Sequence, residues 1–263
     1  MKIVHLSDIH MCPDGHSIYG LDPFKRLNAV IAHINANHGD ADACVVTGDL
    51  ADAGDEASYA RLRQCLANLR IPFFLTLGNH DRRKNFKSVF GNEFADPNGF
   101  LQSSIRINEN NRIVILDTLD ESREDGGILC ERRMDWLRSE LARDTEIPTV
   151  VFLHHPPKDL GERYFRDMLL SNGRELLDAL RLGNVRHISF GHVHFPVSGR
   201  YSCYSFSSSR GTCQTISTVF SERKALMIER SASYELILGD EDCVVVHHVE
   251  PVLEAEAIGI DVL

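Results

Sequence analysis

The sequence predicts an α/β fold in which two mixed β-sheets pack together with helices outside, a four-layer sandwich. Two features point there. Up to about residue 200, short apolar runs rich in Val, Ile and Phe alternate with amphipathic helical stretches, the pattern of buried, largely parallel strands joined by helices. Beyond it, three strand-like runs follow one another with short turns, the pattern of an antiparallel meander.

In order, the predicted strands of the first part are KIVHLS, ACVVT, FFLTL, RIVIL, TVVFL and HISF. Asp22 followed by Pro23 makes an N-cap and first-turn proline for a helix whose buried face is Leu27, Val30, Ile31 and Ile34, with Gly39 as its end. Tyr59, Leu62, Leu66 and Leu69 mark a second helix. Met134, Leu137 and Leu141 mark a third, with Trp136 beside its apolar stripe. Leu176, Leu177 and Leu180 mark a fourth, stopped by Gly183. KALMIER, SYELIL and CVVVHHV are the three runs of the meander, and LEAEAIGIDVL is a tail, either an edge element or an oligomer contact. The chain reads as a single domain over 1–263, with a core over 1–200 and C-terminal strands and tail over 201–263.

The 263 residues are 43% hydrophobic, enough to bury a sizeable core, and the formal net charge is −10. Such a surface repels a polyanion, so a nucleic acid polymer is disfavoured as partner. Seven cysteines are scattered without a Cys-x-x-Cys pair, which suggests neither a disulfide framework nor a thiolate zinc site. The N-terminal segment turns polar after a few residues and no run approaches a membrane span. A cytoplasmic protein with no membrane partner is expected.

Five of the predicted strands run into metal-type ligands: Asp8-Ile-His10, Gly48-Asp49, Gly78-Asn79-His80-Asp81, His154-His155 and Gly191-His192-Val193-His194. Ligand sites of open α/β sheets lie just beyond the carboxyl ends of strands, so the five can converge on one crevice. Carboxylate, imidazole and amide oxygen suit Fe, Mn, Zn or Co. A single catalytic ion uses about three protein ligands, whereas two ions sharing a carboxylate use this many and clamp a phosphoryl displacement.

The ordered set of motifs resembles the calcineurin-like metallophosphoesterase superfamily. The early Asp8-Ile-His10, the compact length and His154-His155-Pro156-Pro157 resemble its class III cyclic nucleotide phosphodiesterases and the bacterial glycerophosphodiesterases, and Tyr19-Gly20 resembles the latter. The resemblance implies two divalent metal ions. One is held by Asp8, His10, Asp49 and His194, the other by Asp49, Asn79, His154 and His192, with Asp49 as bridge. It implies a hydroxide between the metals as nucleophile. His80 stays off the metals and reaches the substrate phosphate or leaving oxygen. Asn79, His80 and Tyr19 are the substrate-binding candidates, and His80 and Asp49 the catalytic ones.

Other residues have two readings each. His155 orients its neighbour or simply packs. Asp81 orients His80 or a water, or caps the next segment. Arg82, Arg83 and Arg210 steer a phosphate or are solvated. His5, His187, His247 and His248, in or beside apolar strands, read as core or surface residues rather than ligands.

The expected function is hydrolysis of a small phosphodiester, of cyclic nucleotide or glycerophosphodiester type. A phosphomonoesterase or protein phosphatase is the nearest rival and a nuclease the next. A non-catalytic scaffold of the same fold would have lost ligands, and none is missing here. No Gly-x-Gly-x-x-Gly follows the first strand and no Pro-Cys-x-x-Cys occurs, which removes dinucleotide-binding and zinc deaminase readings. A homo-oligomer is left open.

Overall fold

The computed structural model describes residues 1–228, 230–240 and 242–251. The first sheet contains β1 (Lys2–Ser7), β2 (Ala43–Thr47), β3 (Phe73–Thr76), β12 (Tyr234–Gly239) and β13 (Val244–Val249), in the order β13-β12-β1-β2-β3. The second contains β4 (Ser103–Asn108), β5 (Asn111–Ile115), β6 (Thr149–Leu153), β7 (Val185–Phe190), β8 (Ser198–Tyr201) and β9 (Tyr204–Ser208), in the order β4-β5-β6-β7-β9-β8. Each sheet is parallel in its middle (β1, β2 and β3; β5, β6, β7 and β9) and antiparallel at its margins.

Alternation along the strands builds the layers. Ile3, Ala43 and Val45 face Ile113, Ile115, Val150 and Phe152 between the sheets. Val4, Leu6, Cys44 and Val46 point the other way, into a core with α1 (Pro23–Asn37), α2 (Glu56–Leu66) and α3 (Arg83–Phe90). Val114, Val151 and Ile188 pack beneath α4 (Glu131–Arg143) and α5 (Gly173–Ala179). The result is the expected α/β/β/α sandwich.

The Asp22 cap is present: its side chain accepts from Phe24 N and Lys25 N at 3.0 and 3.2 Å, and Pro23 opens α1. Two expectations need correction. The three C-terminal runs do not form one meander. β11 (Ala225–Ile228) pairs with β10 (Thr215–Thr218) in a separate ribbon, while β12 joins β1 and β13. Burial separates them: Tyr234, Glu235, Leu236 and Ile237 are all buried and enter the sheet, whereas Leu226 and Met227 of β11 are exposed. The second helix ends at Leu66, with Leu69 buried in the turn beyond it. The short α3 is an element beyond those expected; its sequence signal is the pair Phe86 and Phe90, one turn apart and stacked at 4.6 Å. The tail LEAEAIGIDVL lies outside the described residues.

The strands β1, β2, β3, β6 and β7 all end at the same margin of the sandwich, which brings the residues that follow them together.

Candidate metal centre

Asp8, His10, Asp49 and His194 form one tight buried cluster, and His154, His155 and His192 another; a third comprises His10, Asp52 and His80. Asp49 reaches both of the first two. Its Oδ2 is 3.6 Å from His10 Nε2 and its Oδ1 is 3.3 Å from His154 Nε2. The same His10 Nε2 faces His194 Nε2 at 3.2 Å. His194 Nε2 is also 3.2 Å from Asp8 Oδ1.

The other ring nitrogens are anchored. His10 Nδ1 lies 3.0 Å from Asp52 Oδ1, His154 Nδ1 2.8 Å from Thr47 O and His194 Nδ1 3.1 Å from Gln214 O. A carbonyl or carboxylate accepts there, so the proton sits on Nδ1 and the Nε2 lone pair faces the cluster, the arrangement of a metal-binding imidazole. Three atoms aimed inward, Asn79 Oδ1, His154 Nε2 and His192 Nε2, are buried without a hydrogen-bond partner among the described residues. Asn79 meanwhile donates through Nδ2 to Glu124 O at 3.3 Å. Unsatisfied buried polar atoms are costly, and a cation held there would satisfy them. Gly78 keeps the space open: a Cβ there would lie 2.3 Å from Asp49 Oδ1 and 2.6 Å from His154 Nε2. The donor set, its orphaned atoms and this cradle fit a pair of divalent ions.

The electrostatics point the same way. Burial pushes the Asp8 carboxyl up, but the charge and hydrogen bond of His194 outweigh it and bring it down to about 2. For Asp49, burial is outweighed by His154 and His80, which hold the carboxyl well below its ordinary range. Burial lowers His10 and takes His192 down to about 3, keeping both imidazoles neutral. His154 differs: burial lowers it, yet Asp49 raises it to about 9. With Nδ1 bound to Thr47 O, its extra proton would lie on Nε2 towards Asp49, where a cation competes with it.

The backbone is unusual at these positions. Asp8, His10, Asp49, His192 and His194 all have left-handed φ, between 47° and 71°, a region costing a non-glycine residue about 1–2 kcal/mol. The turn after Asp49 is fixed by Asp81, which accepts from Gly78 N, Leu50 N, Ala51 N and the Tyr59 hydroxyl at 2.8 to 3.2 Å. Asp81 thus ties the second motif to the third rather than orienting His80.

His80 stands beside the cluster. Its Nδ1 donates to Asp52 O at 2.7 Å, its N–H donates to Asp49 Oδ1 at 3.0 Å, and its ring meets that of His10 edge-on at 4.7 Å. Asp49 raises its pKa against the effect of burial. His80 and Tyr19, the latter 71% exposed, line a cavity of about 390 Å³ together with His10, Asp49, His192 and His194.

His155 packs edge-on against His154 at 4.8 Å and donates or accepts through Nδ1 with Thr118 Oγ1 at 2.8 Å. The three arginines are engaged elsewhere: Arg82 with Asn79 O and Asp81 O, Arg83 with Asp117 and Glu121, Arg210 with Glu250. His5 is buried between the sheets against Glu235 and Thr47. Sequence reasoning missed Asp52, the carbonyls of Thr47 and Gln214, and Gly211, where a Cβ would come within 2.9 Å of His194 Nδ1. The sequence signal for Asp52 was its place in Gly48-Asp49-Leu50-Ala51-Asp52.

Comparison with known proteins decides the family. The calcineurin-like phosphoesterase family model matches residues 1–196. The chain belongs to this family. A probable cyclic nucleotide phosphodiesterase of Rhodopseudomonas palustris is 39% identical over 82% of this chain and 80% of its own. A glycerophosphodiester phosphodiesterase of Enterobacter lignolyticus is 30% identical over 74% and 71%. A dimetal phosphatase from Danio rerio shares the fold, with a TM-score of 0.70 at 14% identity over 94% of this chain and 95% of that one. Family membership and the His/Asp clusters together give this calcineurin-like phosphoesterase a dinuclear divalent-metal centre.

Proposed function

We propose that the chain hydrolyses a small phosphodiester. Asp8, His10, Asp49 and His194 hold one cation, and Asp49, Asn79, His154 and His192 hold the other. One observation carries this reading: the two oxygens of Asp49 are divided, Oδ2 towards His10 and Oδ1 towards His154. The relatives named above support a diester as the substrate class. Nitrogen and oxygen donors suit Fe, Mn, Zn or Co.

Bound there, the two ions supply Lewis acidity at phosphorus and a water acidified from a pKa of 15.7 toward ~7. The protein does the rest. Asp49 holds both positions in register. His80 is fixed through Nδ1 on Asp52 O, which leaves Nε2 for the substrate. As an imidazolium, favoured by Asp49 and Asp52, it donates a proton to the departing oxygen. Asn79 contributes its amide oxygen, and Tyr19 lines the mouth of the cavity.

The cytoplasm fits as the place of action, since all seven cysteines are free. No helix among the described residues is long and apolar enough to cross a membrane. The test is direct. The chelated protein is expected to be inactive, and Mn²⁺ to restore cleavage of a diester well above that of its matching monoester. Full diester turnover after verified removal of all metal, or preference for the monoester, refutes the proposal.

A further inference from the structure

The layer between the two sheets changes character along its length. Far from the metal centre Ile3, Ala43, Val45, Val150 and Ile237 make it apolar. Nearer the centre the same strand faces carry His5, Thr47, Glu235 and Ser189, all fully buried, with His5 directly opposite Glu235 in the pairing of β1 with β12. These four side chains form one hydrogen-bonded chain. Ser189 Oγ and His5 Nδ1 each donate to Glu235 Oε2 at 2.7 Å, and His5 Nε2 meets Thr47 Oγ1 at 2.7 Å. Thr47 carries the chain on to the centre: its carbonyl accepts from His154 Nδ1 at 2.8 Å and from Ser7 Oγ at 2.5 Å. His5, Thr47 and Glu235 stand on the first sheet, and Ser189 and the strand before His154 on the second. The chain therefore joins the sheets directly beneath the proposed ligands.

Stability alone does not account for this chain. A buried carboxylate and imidazole hold a fold together no better than apolar residues of the same volume, and aliphatic side chains fill the rest of the layer. The origin of the ligands supplies a reason. On the proposed ligand set, the first ion draws Asp8, His10 and Asp49 from the first sheet and His194 alone from the second. The second ion draws evenly, Asp49 and Asn79 from one sheet against His154 and His192 from the other. Its geometry depends most on how the sheets are held together. An imidazole ligand is oriented by the bond that its other nitrogen makes, and for His154 that bond crosses to the opposite sheet. We propose that His5, Glu235 and Ser189 are positioning residues for the second ion: they fix Thr47, and Thr47 fixes His154, across the gap between the sheets. This role rests on the ligand set proposed above.

The test titrates Mn²⁺ into the chelated full-length protein by calorimetry, without substrate, and reads two dissociation constants. His154→Ala identifies the one that belongs to the second ion. Thr47→Val removes the hydroxyl and keeps the carbonyl; Glu235→Gln removes the charge. Each is expected to weaken the second ion by about 10–100-fold and to leave the first within about twofold. The double variant is expected to add less than about twofold to the larger single effect, because both changes cut the same chain. Should Glu235→Gln fail to fold, Ser189→Ala takes its place with the same expected selectivity. Leu141→Ala, in the core beneath α4, is the control for stability alone; it is expected to lower Tm and leave both constants unchanged. Constants that stay unchanged in Thr47→Val, or that weaken equally for both ions, overturn the proposal. Turnover of a diester is scored separately. Selective loss of the second ion in a protein that cleaves no diester refutes the proposed function and leaves the positioning role standing. Diester cleavage with the two constants falling together refutes the positioning role alone.

Discussion

Replacing Gly78 with Ala adds one methyl group at the point where the proposed ligands converge. The new Cβ would lie 2.3 Å from Asp49 Oδ1, 2.5 Å from Asp49 N and 2.6 Å from His154 Nε2. Measured against ordinary contact at 3.4 Å, the closest approach is short by about 1.1 Å. Neither neighbour can simply swing aside. Asp49 Oδ1 accepts from His80 N, and His154 Nδ1 is bound to Thr47 O. The carboxylate that joins the two sites must therefore move by about 1 Å, a misplacement that costs on the order of 10²-fold in rate. Overpacking alone costs about 1–3 kcal/mol of stability, or roughly 2–12 °C in Tm for a chain of this size. The assay pairs metal content per chain with turnover of an activated aryl diester, and Gly39→Ala, whose Cβ meets only Asn35 O at 3.3 Å, serves as control. Loss of metal from the His154 side and a rate loss of about two orders of magnitude are expected. A Gly78→Ala protein that keeps two metals and turns over within about twofold of the parent, inside the scatter of an ordinary surface substitution, would falsify the bridge geometry.

Three other outcomes follow from the same geometry. His10→Ala and His154→Ala should deplete different ions, and Asp49→Ala both; elemental analysis that finds the same ion lost from the two histidine variants breaks the proposed partition. His80→Ala should retain both metals and slow an alkyl diester by ~10²–10⁴-fold, with a much smaller effect on an aryl diester whose phenolate leaves unaided; equal losses would assign His80 to phosphate positioning instead. Burial pushes the Glu235 carboxyl up, but the hydrogen bond and charge of His5, with Ser189, hold it below its ordinary value of 4.5. That stabilisation is complete above the ordinary value and fades as pH falls through the depressed one, so Glu235→Gln should cost about 3 kcal/mol near neutrality and flatten the acid limb of the stability curve. An acid limb identical to the parent's in a urea titration series would show that the pair does not carry it.

The proposed ligands stand out in the sequence because each lies within four residues of the end of an apolar strand, and short strands announce themselves by composition. Asp8, Asp49, His154 and His192 could be read that way, as could the Asp22 cap, because the signal is local. What orients the ligands was not legible. The Thr47 and Gln214 carbonyls belong to the backbone, which every residue carries, so no side-chain type marks them. Asp81 could be seen but not assigned, since its partners Leu50, Ala51 and Tyr59 lie more than 20 residues away. The pairing of β11 with β10 rather than β12 depends on which face finds a core, and Thr215–Thr218 lacks the apolar signature that would have marked it as a strand.

The left-handed turns at Asp8, His10, Asp49, His192 and His194 set catalysis and durability against each other. At those positions glycine is the residue that the backbone itself prefers, by about 1–2 kcal/mol each, and it is the residue that can bind nothing. Selection for a sturdier chain alone would erode the centre one position at a time. On the proposed ligand set, bound cations reverse that gradient, because they reward the side chain that the backbone penalises. The centre is thus maintained by metal supply as well as by the need for turnover, and a lineage that lost access to the metal would be expected to lose these residues first, with the sandwich around them intact.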